Sequence, residues 1–404
     1  MTTAETLPTD HQEDFKSKLF LWVFVVLLVY LILLAVGMIG SGFKWASGGK
    51  EGAEELFAFA TNPFMGLIIG TMATALVQSS STVTSIIVGL VAGGLPVATA
   101  IPMIMGANIG TTITNTLVSL AHIRSKEEFQ RAFSAATVHD FFNLFSVVIF
   151  LPLEIAFGIL EKISAIMANF VLGGESMSMN SLNFIKPITK PIISVFKDIF
   201  GNLPDPLGGI ALAILGVLVI FAAITFLGRL LRKVMVGRAR KVLHCAISCG
   251  PVAGIASGTA VTVLVQSSST TTSLIVPLAG AGILNTREIY PFTLGANIGT
   301  CITSLLAATA ISGEMAIFAL QIALVHLMYN VLGVIVIYSI GFLRELPIKG
   351  AEILASVAAD RKYIAFAYVL VVFFIIPIIL IGITPYLLPG VKAGTALLSN
   401  VAVT

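Results

Sequence analysis

Charged residues are scarce in this chain of 404 residues, since Asp, Glu, Lys and Arg together make up only 11% of it. Apolar residues make up 57%, and the mean hydropathy is +1.01. A single core in water could not bury that many apolar side chains. Ordinary soluble folds are therefore excluded, and a net charge of only +3 gives no indication of a nucleic-acid partner.

Cysteine is also rare. The three cysteines, Cys245, Cys249 and Cys301, lie beside or within apolar segments, which predicts neither a disulfide framework nor a metal site. No serine has a histidine and an acid at positions that suggest a catalytic triad, and the sequence contains no Walker loop for ATP. The chain is therefore predicted to be neither an enzyme nor an ATP-driven pump, and to need no cofactor.

What the chain has instead is long apolar runs, near the ~20 residues that a helix needs to cross a hydrocarbon core. The predicted spans are 19–39, 97–121, 131–157, 208–231, 286–311, 315–343 and 363–388. Two further apolar regions, 63–94 and 250–282, are interrupted at their centres by polar residues, which predicts re-entrant helical hairpins. The predicted fold class is an all-α integral membrane protein.

Lys and Arg accumulate in short cytoplasmic loops, and this rule orients the spans. The basic stretch from Arg229 to Lys241 is expected to be cytoplasmic, as is the polar tail 1–18. Counting the spans from a cytoplasmic N-terminus, each of which takes the chain across the membrane, places the connecting segment 158–206 and the C-terminus outside. Residues 344–404 are predicted to hold a cytoplasmic loop, the final span and a short tail. The expected location is the plasma (inner) membrane, crossed many times.

The apolar body contains an internal repeat, at offsets between 187 (326 − 139) and 189 (295 − 106) residues. The matching elements are QSSSTVTS at 78–85 with QSSSTTTS at 266–273, GANIGT at 106–111 with GANIGT at 295–300, and His139 and Asn143 with His326 and Asn330. Each copy, 19–157 and 207–343, holds an odd number of spans. This predicts two repeats of inverted topology, each with a re-entrant hairpin and broken helices, and a ligand site where they meet.

A Gln followed by three serines is costly inside a membrane, because lipid supplies no partner for the amide and hydroxyl groups. One such run could serve helix packing alone, but two matching runs favour a ligand site. The predicted anion-binding residues are Ser79, Ser80, Ser81, Ser267, Ser268, Ser269, Asn108 and Asn297. Side-chain oxygens in the same repeat elements suit a small hard cation, and the predicted ligands are Gln78, Thr82, Thr111, Asp140, Asn143, Gln266, Thr270, Thr300 and Asn330.

The GANIGT segments have an alternative interpretation, a close crossing of helices at their glycines. No Lys or Arg lies within the serine runs or the GANIGT segments, so the anion's charge is expected to be balanced by cations that bind with it. Asp140 is an acid in an apolar span, and its repeat mate is Leu327, which predicts an additional cation site in one half. The alternative is that Asp140 reaches interfacial water. His139 and His326 are expected to be packed rather than to carry protons.

These elements resemble the type II sodium-dependent phosphate cotransporters, which include the renal and intestinal carriers of animals and bacterial relatives. The resemblance covers roughly residues 60–385 and lies in the paired QSSST and GANIGT segments, in EEFQRAFSAATVHDFFN at 127–143 and in YPFTLGANIGT at 290–300. It implies that the anion is phosphate, that the cation is sodium, and that both bind at the serine runs. An Asp in the family's AxxxD pattern marks electrogenic carriers. Ala136 to Asp140 fits that pattern, which implies uptake of divalent hydrogen phosphate with net inward charge.

The function predicted from the sequence is a secondary active symporter that couples inward sodium movement to phosphate uptake by alternating access. Its partners are inorganic phosphate, sodium ions and the lipid bilayer. The alternatives are a sodium-coupled carrier of small carboxylates, an ion channel with paired re-entrant loops, and a structural scaffold. The serine runs contain no Arg that could clamp a carboxylate.

Overall fold

A computed structural model describes residues 10–49, 52–53, 55, 62–173, 185–247 and 250–380. Within that part of the chain every regular element is a helix. The first half comprises α1 (Asp10–Ser47), α2 (Pro63–Val77), α3 (Ser80–Gly93), α4 (Val97–Gly110), α5 (Ile113–Ser119), α6 (Lys126–Phe157), α7 (Ile159–Gly173) and α8 (Ile185–Phe200). The second half comprises α9 (Leu207–Ile247), α10 (Pro251–Val265), α11 (Ser268–Ser273), α12 (Val276–Gly280), α13 (Thr286–Ala308), α14 (Ala316–Gly333), α15 (Gly341–Asp360) and α16 (Tyr363–Leu370).

Seven helical stretches of the described chain are long and apolar enough to cross a membrane. They are Phe20–Ser47, Val97–His122, Lys126–Phe157, Leu207–Leu231, Thr286–Ala308, Ala316–Tyr338 and Tyr363–Leu380. Each overlaps one of the seven spans predicted from the sequence, so the prediction of an all-helical, multi-pass membrane protein is confirmed. The overlap follows from composition, because runs of about 20 apolar residues become helices when the backbone must satisfy its own hydrogen bonds.

The two regions predicted as re-entrant hairpins are each built from paired short helices. Helices α2, α3 and α10 have 15, 14 and 15 residues. At 1.5 Å per residue they reach roughly 22 Å, less than the ~30 Å hydrocarbon core. Each pair is interrupted at a glutamine, and we call Gln78–Ser79 the first break and Gln266–Ser267 the second break. That the pairs dip into the membrane and return to one side stays a prediction.

Helices α1 and α9 pack along one another through small residues. A Cβ at Gly42 would overlap the backbone at Gly209 and Ala213, and a Cβ at Gly216 would contact the carbonyl of Ala35. Close backbone approach of this kind is how helices associate in lipid, where burial of apolar area supplies little driving force. The largest apolar cluster lies between this pair and helices α3, α4 and α14.

The connecting segment 158–206 contains more structure than the sequence indicated. Helix α6 ends at Gly158, whose φ is +60°, and the Glu154 carboxylate accepts from the backbone N–H groups of Leu160 and Glu161 at the start of α7. The Gln321 amide on α14 donates to the Glu161 carbonyl at 3.1 Å. Helix α7 is thereby fixed to α14.

Some predictions fall outside the described residues. These are residues 1–9 of the polar tail, 174–184 of the connecting segment, Cys249 and the C-terminal stretch 381–404, together with the side chains of the basic stretch beyond Leu231.

Candidate functional site

Each serine run begins at a glutamine whose backbone is left-handed, with φ 58° at Gln78 and 53° at Gln266. This conformation costs a residue with a Cβ roughly 1–2 kcal/mol. The side-chain amide offsets part of that cost, because it caps the last turn of the preceding helix, where backbone carbonyls lack helical partners. Gln78 Nε2 donates to the Ala75 carbonyl at 2.5 Å, and Gln266 Nε2 donates to the Val263 carbonyl at 2.7 Å.

The amide oxygen of each glutamine connects its break to a threonine three residues after the GANIGT segment. Thr114 Oγ1 donates to Gln78 Oε1 at 2.8 Å, and Thr303 Oγ1 donates to Gln266 Oε1 at 3.0 Å. An amide oxygen has two lone pairs, so each retains one acceptor position. Each of these glutamines, predicted as a sodium ligand, is therefore held by two side-chain hydrogen bonds, and the bonds are equivalent in the two repeats.

The first serine of each run starts a new helix. Ser79 Oγ accepts from the Thr82 backbone N–H, and Ser267 Oγ accepts from the Thr270 backbone N–H, both at 3.2 Å. This is the N-cap interaction, which begins a helix by satisfying one of its free donors. The hydroxyls of Thr82 and Thr270 lie 2.8 and 2.9 Å from these serine oxygens, so the two predicted sodium ligands belong to the caps.

Both serine runs line one cavity of about 340 Å³, which we call the serine cavity. Its lining residues are Gln78, Ser79, Ser80, Ser81, Gln266, Ser267, Ser268 and Ser269 from the two breaks, and Ile224, Thr225, Gly228 and Arg229 from α9. The structure thus brings together all six serines that the sequence predicted as anion ligands, with hydroxyl and amide donors from both repeats.

Arg229 was missed as a site residue. The sequence placed it at the start of a cytoplasmic basic stretch, and its basic neighbours concealed its position in the last turn of the span Leu207–Leu231. The prediction that co-bound cations balance the anion's charge did not consider this arginine, which lines the serine cavity. An arginine at this cavity could also clamp a carboxylate, so the absence of Arg from the serine runs does not exclude a carboxylate substrate.

The glycines of the GANIGT segments form helix crossings. A Cβ at Gly106 would overlap the Leu67 carbonyl, and a Cβ at Gly295 would overlap the Ile255 carbonyl. The hydroxyls of Thr111 and Thr300 donate to carbonyls one turn earlier on their own helices, at 2.9 and 3.0 Å. These segments hold α2 against α4 and α10 against α13, as their alternative interpretation proposed.

The four asparagines predicted as ligands form a buried group of their own, the asparagine cluster. Its bonds cross between the repeats, since Asn297 Nδ2 donates to Asn143 Oδ1 at 2.9 Å and Asn330 Nδ2 donates to Asn108 Oδ1 at 3.4 Å. None of the four is among the described residues that line the serine cavity. His139 Nε2 lies 2.6 Å from Asn297 Oδ1, so this histidine is packed into the cluster.

Asp140 is buried, with 2% of its surface exposed, and so it does not reach interfacial water. Its Oδ2 accepts from the Tyr368 hydroxyl at 2.9 Å and from Thr116 Oγ1 at 3.4 Å, whereas its Oδ1 has no described partner. A buried carboxylate oxygen without a donor is costly, and a cation would complete this site. Tyr368 was missed, because it lies 228 residues from Asp140 along the chain and no local pattern relates the two.

The surroundings of Asp140 also reach the second break. Asn115 lies next to Thr116 on α5, and Asn115 Oδ1 accepts from Thr272 Oγ1 at 2.8 Å and from Ser273 Oγ at 3.2 Å. Both donors belong to α11, whose first residue, Ser268, lines the serine cavity. Two adjacent residues of α5 thus contact the acid of the first repeat and the helix that carries the second serine run.

Comparison with known proteins gives consistent matches. The human sodium-dependent phosphate transport protein 2B is 32% identical over 445 aligned positions, which cover 88% of this chain and 64% of that protein. The rat sodium-dependent phosphate transport protein 2A is 34% identical, with 88% of this chain and 66% of the relative covered. The chain thus spans slightly less than two thirds of these relatives' length. No solved structure matches it.

The sequence profile described as Na+/Pi-cotransporter matches residues 31–178 and 218–344. These two blocks contain both breaks, both GANIGT segments, Asp140 and Arg229. On this match and on identities of 32% and 34%, the chain belongs to the Na+/Pi-cotransporter family, a family of transporters and not of enzymes.

Proposed function

We propose that this protein is a secondary active symporter that couples inward sodium movement to the uptake of inorganic phosphate. The observation that carries the proposal is that both serine runs line one cavity. The relatives, named as sodium-dependent phosphate transport proteins, support the same pair of substrates.

The serine cavity is the proposed phosphate site. Ser80, Ser81 and Ser268 are buried and belong to the first turns of α3 and α11, where hydroxyl groups and backbone N–H groups without helical partners lie close together. A tetrahedral oxyanion needs several donors arranged around it, and two runs from opposite repeats can surround one. We assign no direct phosphate contact to Asn108 or Asn297, because they belong to the asparagine cluster.

Sodium ions are proposed to balance the negative charge of the bound phosphate. Placing a multiply charged anion in a site of low dielectric constant is costly without countercharge, and ions that bind with it lower that cost. Asp140, with one carboxylate oxygen lacking a donor and the Thr116 hydroxyl nearby, is the proposed site of one sodium ion. Because this acid has no counterpart in the second repeat, the extra ion would make transport of divalent phosphate electrogenic.

Alternating access follows from the proposed topology, in which the repeats are inverted and the paired helices around each break re-enter from opposite sides. Movement of the breaks relative to the α1–α9 pair would expose the serine cavity first to one side and then to the other. The basic residues after Leu231 support a cytoplasmic N-terminus and a C-terminus outside, as part of the same proposal.

The test of the proposal is uptake of radiolabelled phosphate into proteoliposomes under inward gradients of sodium, lithium, potassium or protons. Accumulation should require sodium, should saturate with phosphate and should fail with potassium. Sodium-independent uptake would reject the coupling, and non-saturating flux without accumulation would indicate a channel.

Serine variants test whether phosphate binds in the serine cavity. Ser80→Ala and Ser268→Ala each remove one buried donor, which should weaken the apparent phosphate affinity by 1–3 kcal/mol, or roughly 5- to 150-fold. The matched control is Ser356→Ala, where the hydroxyl is exposed on α15 and bonds only to the Ile353 carbonyl. Unchanged affinity in both cavity variants would place the phosphate site elsewhere.

A second candidate is a sodium-coupled carrier of a small carboxylate, which the presence of Arg229 in the cavity favours. The same proteoliposomes distinguish the two. Succinate or citrate that displaces phosphate, and is itself accumulated with sodium, would support the carboxylate carrier. Family membership and the hydroxyl-rich lining favour phosphate.

A further inference from the structure

We propose that Arg229 is the fixed countercharge of the substrate site and holds two oxygens of the oxyanion with its guanidinium group. This inference rests on the proposed function, in which the serine cavity binds phosphate. It adds a residue outside both repeat motifs, carried by a helix that contains neither break.

The first observation is which face of α9 borders the cavity. Ile224, Thr225, Gly228 and Arg229 all line it. Residues at spacings of three to five lie on one side of a helix, so this stripe faces the two breaks. A Cβ built on Gly228 lies 3.8 Å from the Val265 carbonyl, one residue before the second break. Arg229 follows directly in the sequence, at the end of the spanning segment.

The second observation is the charge of the lining. The other eleven lining residues have neutral side chains, so Arg229 is the single ionised group on the described wall of the serine cavity. Among the described residues it forms no ion pair, and its guanidinium carbon lies 5.5 Å from the centre of the Phe226 ring. Arg229 is exposed and lines a cavity of donors, and among the described residues none accepts a hydrogen bond from its guanidinium group. An oxyanion in the cavity would supply an acceptor.

The third argument is the chemistry of the guanidinium group. Its planar fork donates two parallel hydrogen bonds, which match two oxygens of a phosphate or carboxylate. The serines donate single hydrogen bonds and carry no net charge of their own. Arg229 would therefore determine how strongly the site prefers an anion with more charge and more oxygens. It would also connect the anion to α9, and through it to α1, while the serines connect it to the two breaks.

The experiment is equilibrium binding of radiolabelled phosphate to the purified full-length protein in lipid nanodiscs, at saturating sodium and one pH. Arg229→Gln should weaken binding by about 10-fold or more, because it removes charge-assisted hydrogen bonds to the anion at a wall of the cavity that is open to solvent. Arg229→Lys keeps the charge without the fork and should fall between Arg229→Gln and the unmodified protein. The matched control is Arg344→Gln, because Arg344 also lies 5.5 Å from an aromatic ring centre, that of Tyr338, but does not line the serine cavity.

A second readout separates binding from a purely structural role. Hypophosphite is tetrahedral but carries one charge and two oxygens, and its competition with phosphate measures the preference of the site. Arg229→Gln should weaken phosphate binding more than hypophosphite binding, so the ratio of the two affinities should move toward one. A variant that was merely misfolded would lose both equally, and thermal unfolding of each variant would reveal it. Arg229→Lys distinguishes a role in anion binding from a structural role. It should retain most of the preference for phosphate over hypophosphite while binding phosphate more weakly.

The outcomes are distinct. Sodium-dependent phosphate binding that is equal in Arg229→Gln, Arg344→Gln and the unmodified protein would overturn the role of Arg229 and leave the proposed function standing. No sodium-dependent phosphate binding by the unmodified protein would overturn both.

Discussion

The two repeats are nearly identical at their breaks and different around Asp140. Both breaks have a left-handed glutamine, a threonine that donates to its amide oxygen and a serine N-cap. In the first repeat, however, the helix that carries GANIGT is interrupted after Gly110, while in the second it continues unbroken through α13. The arm after the serines is continuous in the first repeat as α3 and interrupted in the second between α11 and α12.

These unmatched interruptions meet in one place. Helix α5, which follows the interruption of the first repeat, contributes Asn115 and Thr116, and α11 of the second repeat contributes Thr272. Asp140 and Tyr368 complete the surroundings. The matched breaks thus surround the proposed anion site, and the unmatched interruptions lie near one acid. This division suggests separate tasks for the two parts, and five substitutions with their controls test it.

The largest effect is expected from Asp140→Asn, which keeps the size of the side chain and removes its charge, the feature that most distinguishes the first repeat from the second. Transport should lose one co-transported cation, so the charge moved per phosphate should fall by about one elementary charge. The measurement is the ratio of current to radiolabelled flux in proteoliposomes. The control is Asp360→Asn, an exposed acid that pairs with Lys126. An unchanged ratio would show that the asymmetric region does not bind a transported ion.

The second-largest effect is expected at the helix crossings of α2 with α4 and of α10 with α13, which are equivalent in the two repeats. Gly106→Ala and Gly295→Ala each force a methyl group against a neighbouring carbonyl and should lower the free energy of unfolding by about 1–3 kcal/mol, to a similar degree in both. Thermal unfolding in detergent measures the effect. Gly341→Ala serves as the control, because a Cβ there meets open space. Loss of stability in only one variant would mean that the crossing contributes to the free energy of unfolding in one repeat and not in the other.

Tyr368→Phe tests the asymmetric region without altering its charge. The variant removes the closest donor to Asp140 and should destabilise the sodium-free protein by about 1–2 kcal/mol. The destabilisation should be seen as a lower unfolding temperature without sodium. Tyr363→Phe, on the same helix and 64% exposed, should have little effect. Equal behaviour of the two variants would remove Tyr368 from the site.

The smallest effect is expected at a helix start where the repeats differ. Helix α13 begins with a capping box, in which the side chains of Asn285 and Glu288 each accept from the other's backbone N–H, whereas α4 begins at Pro96 without a side-chain cap. Asn285→Ala should cost about 1 kcal/mol of stability. Chemical unfolding compared with the exposed Asn202→Ala variant measures it. No difference between the two would show that α13, like α4, is held by packing alone.

Much of the fold was predictable because its signals are local. A run of apolar residues predicts its own helix, and polar residues in the middle of such a run predicted the interruptions at Gln78 and Gln266. The repeat identified the serines that share a cavity. What the sequence could not provide was contact between distant segments. Arg229 resembles its basic neighbours in sequence, Tyr368 lies far from Asp140, and the bonding partners of the asparagines depend on how the repeats pack.

The crossed bonds of the asparagine cluster have a consequence for biosynthesis. The Oδ1 atoms of Asn143 and Asn108 accept from Asn297 and Asn330, so these two amide oxygens of the first half find their partners only after the second half has been translated. The N-terminal half would enter the bilayer with these two amide oxygens unpaired, so its final packing must await translation of residue 330. Two separately expressed halves should therefore persist in cells only when they are produced together.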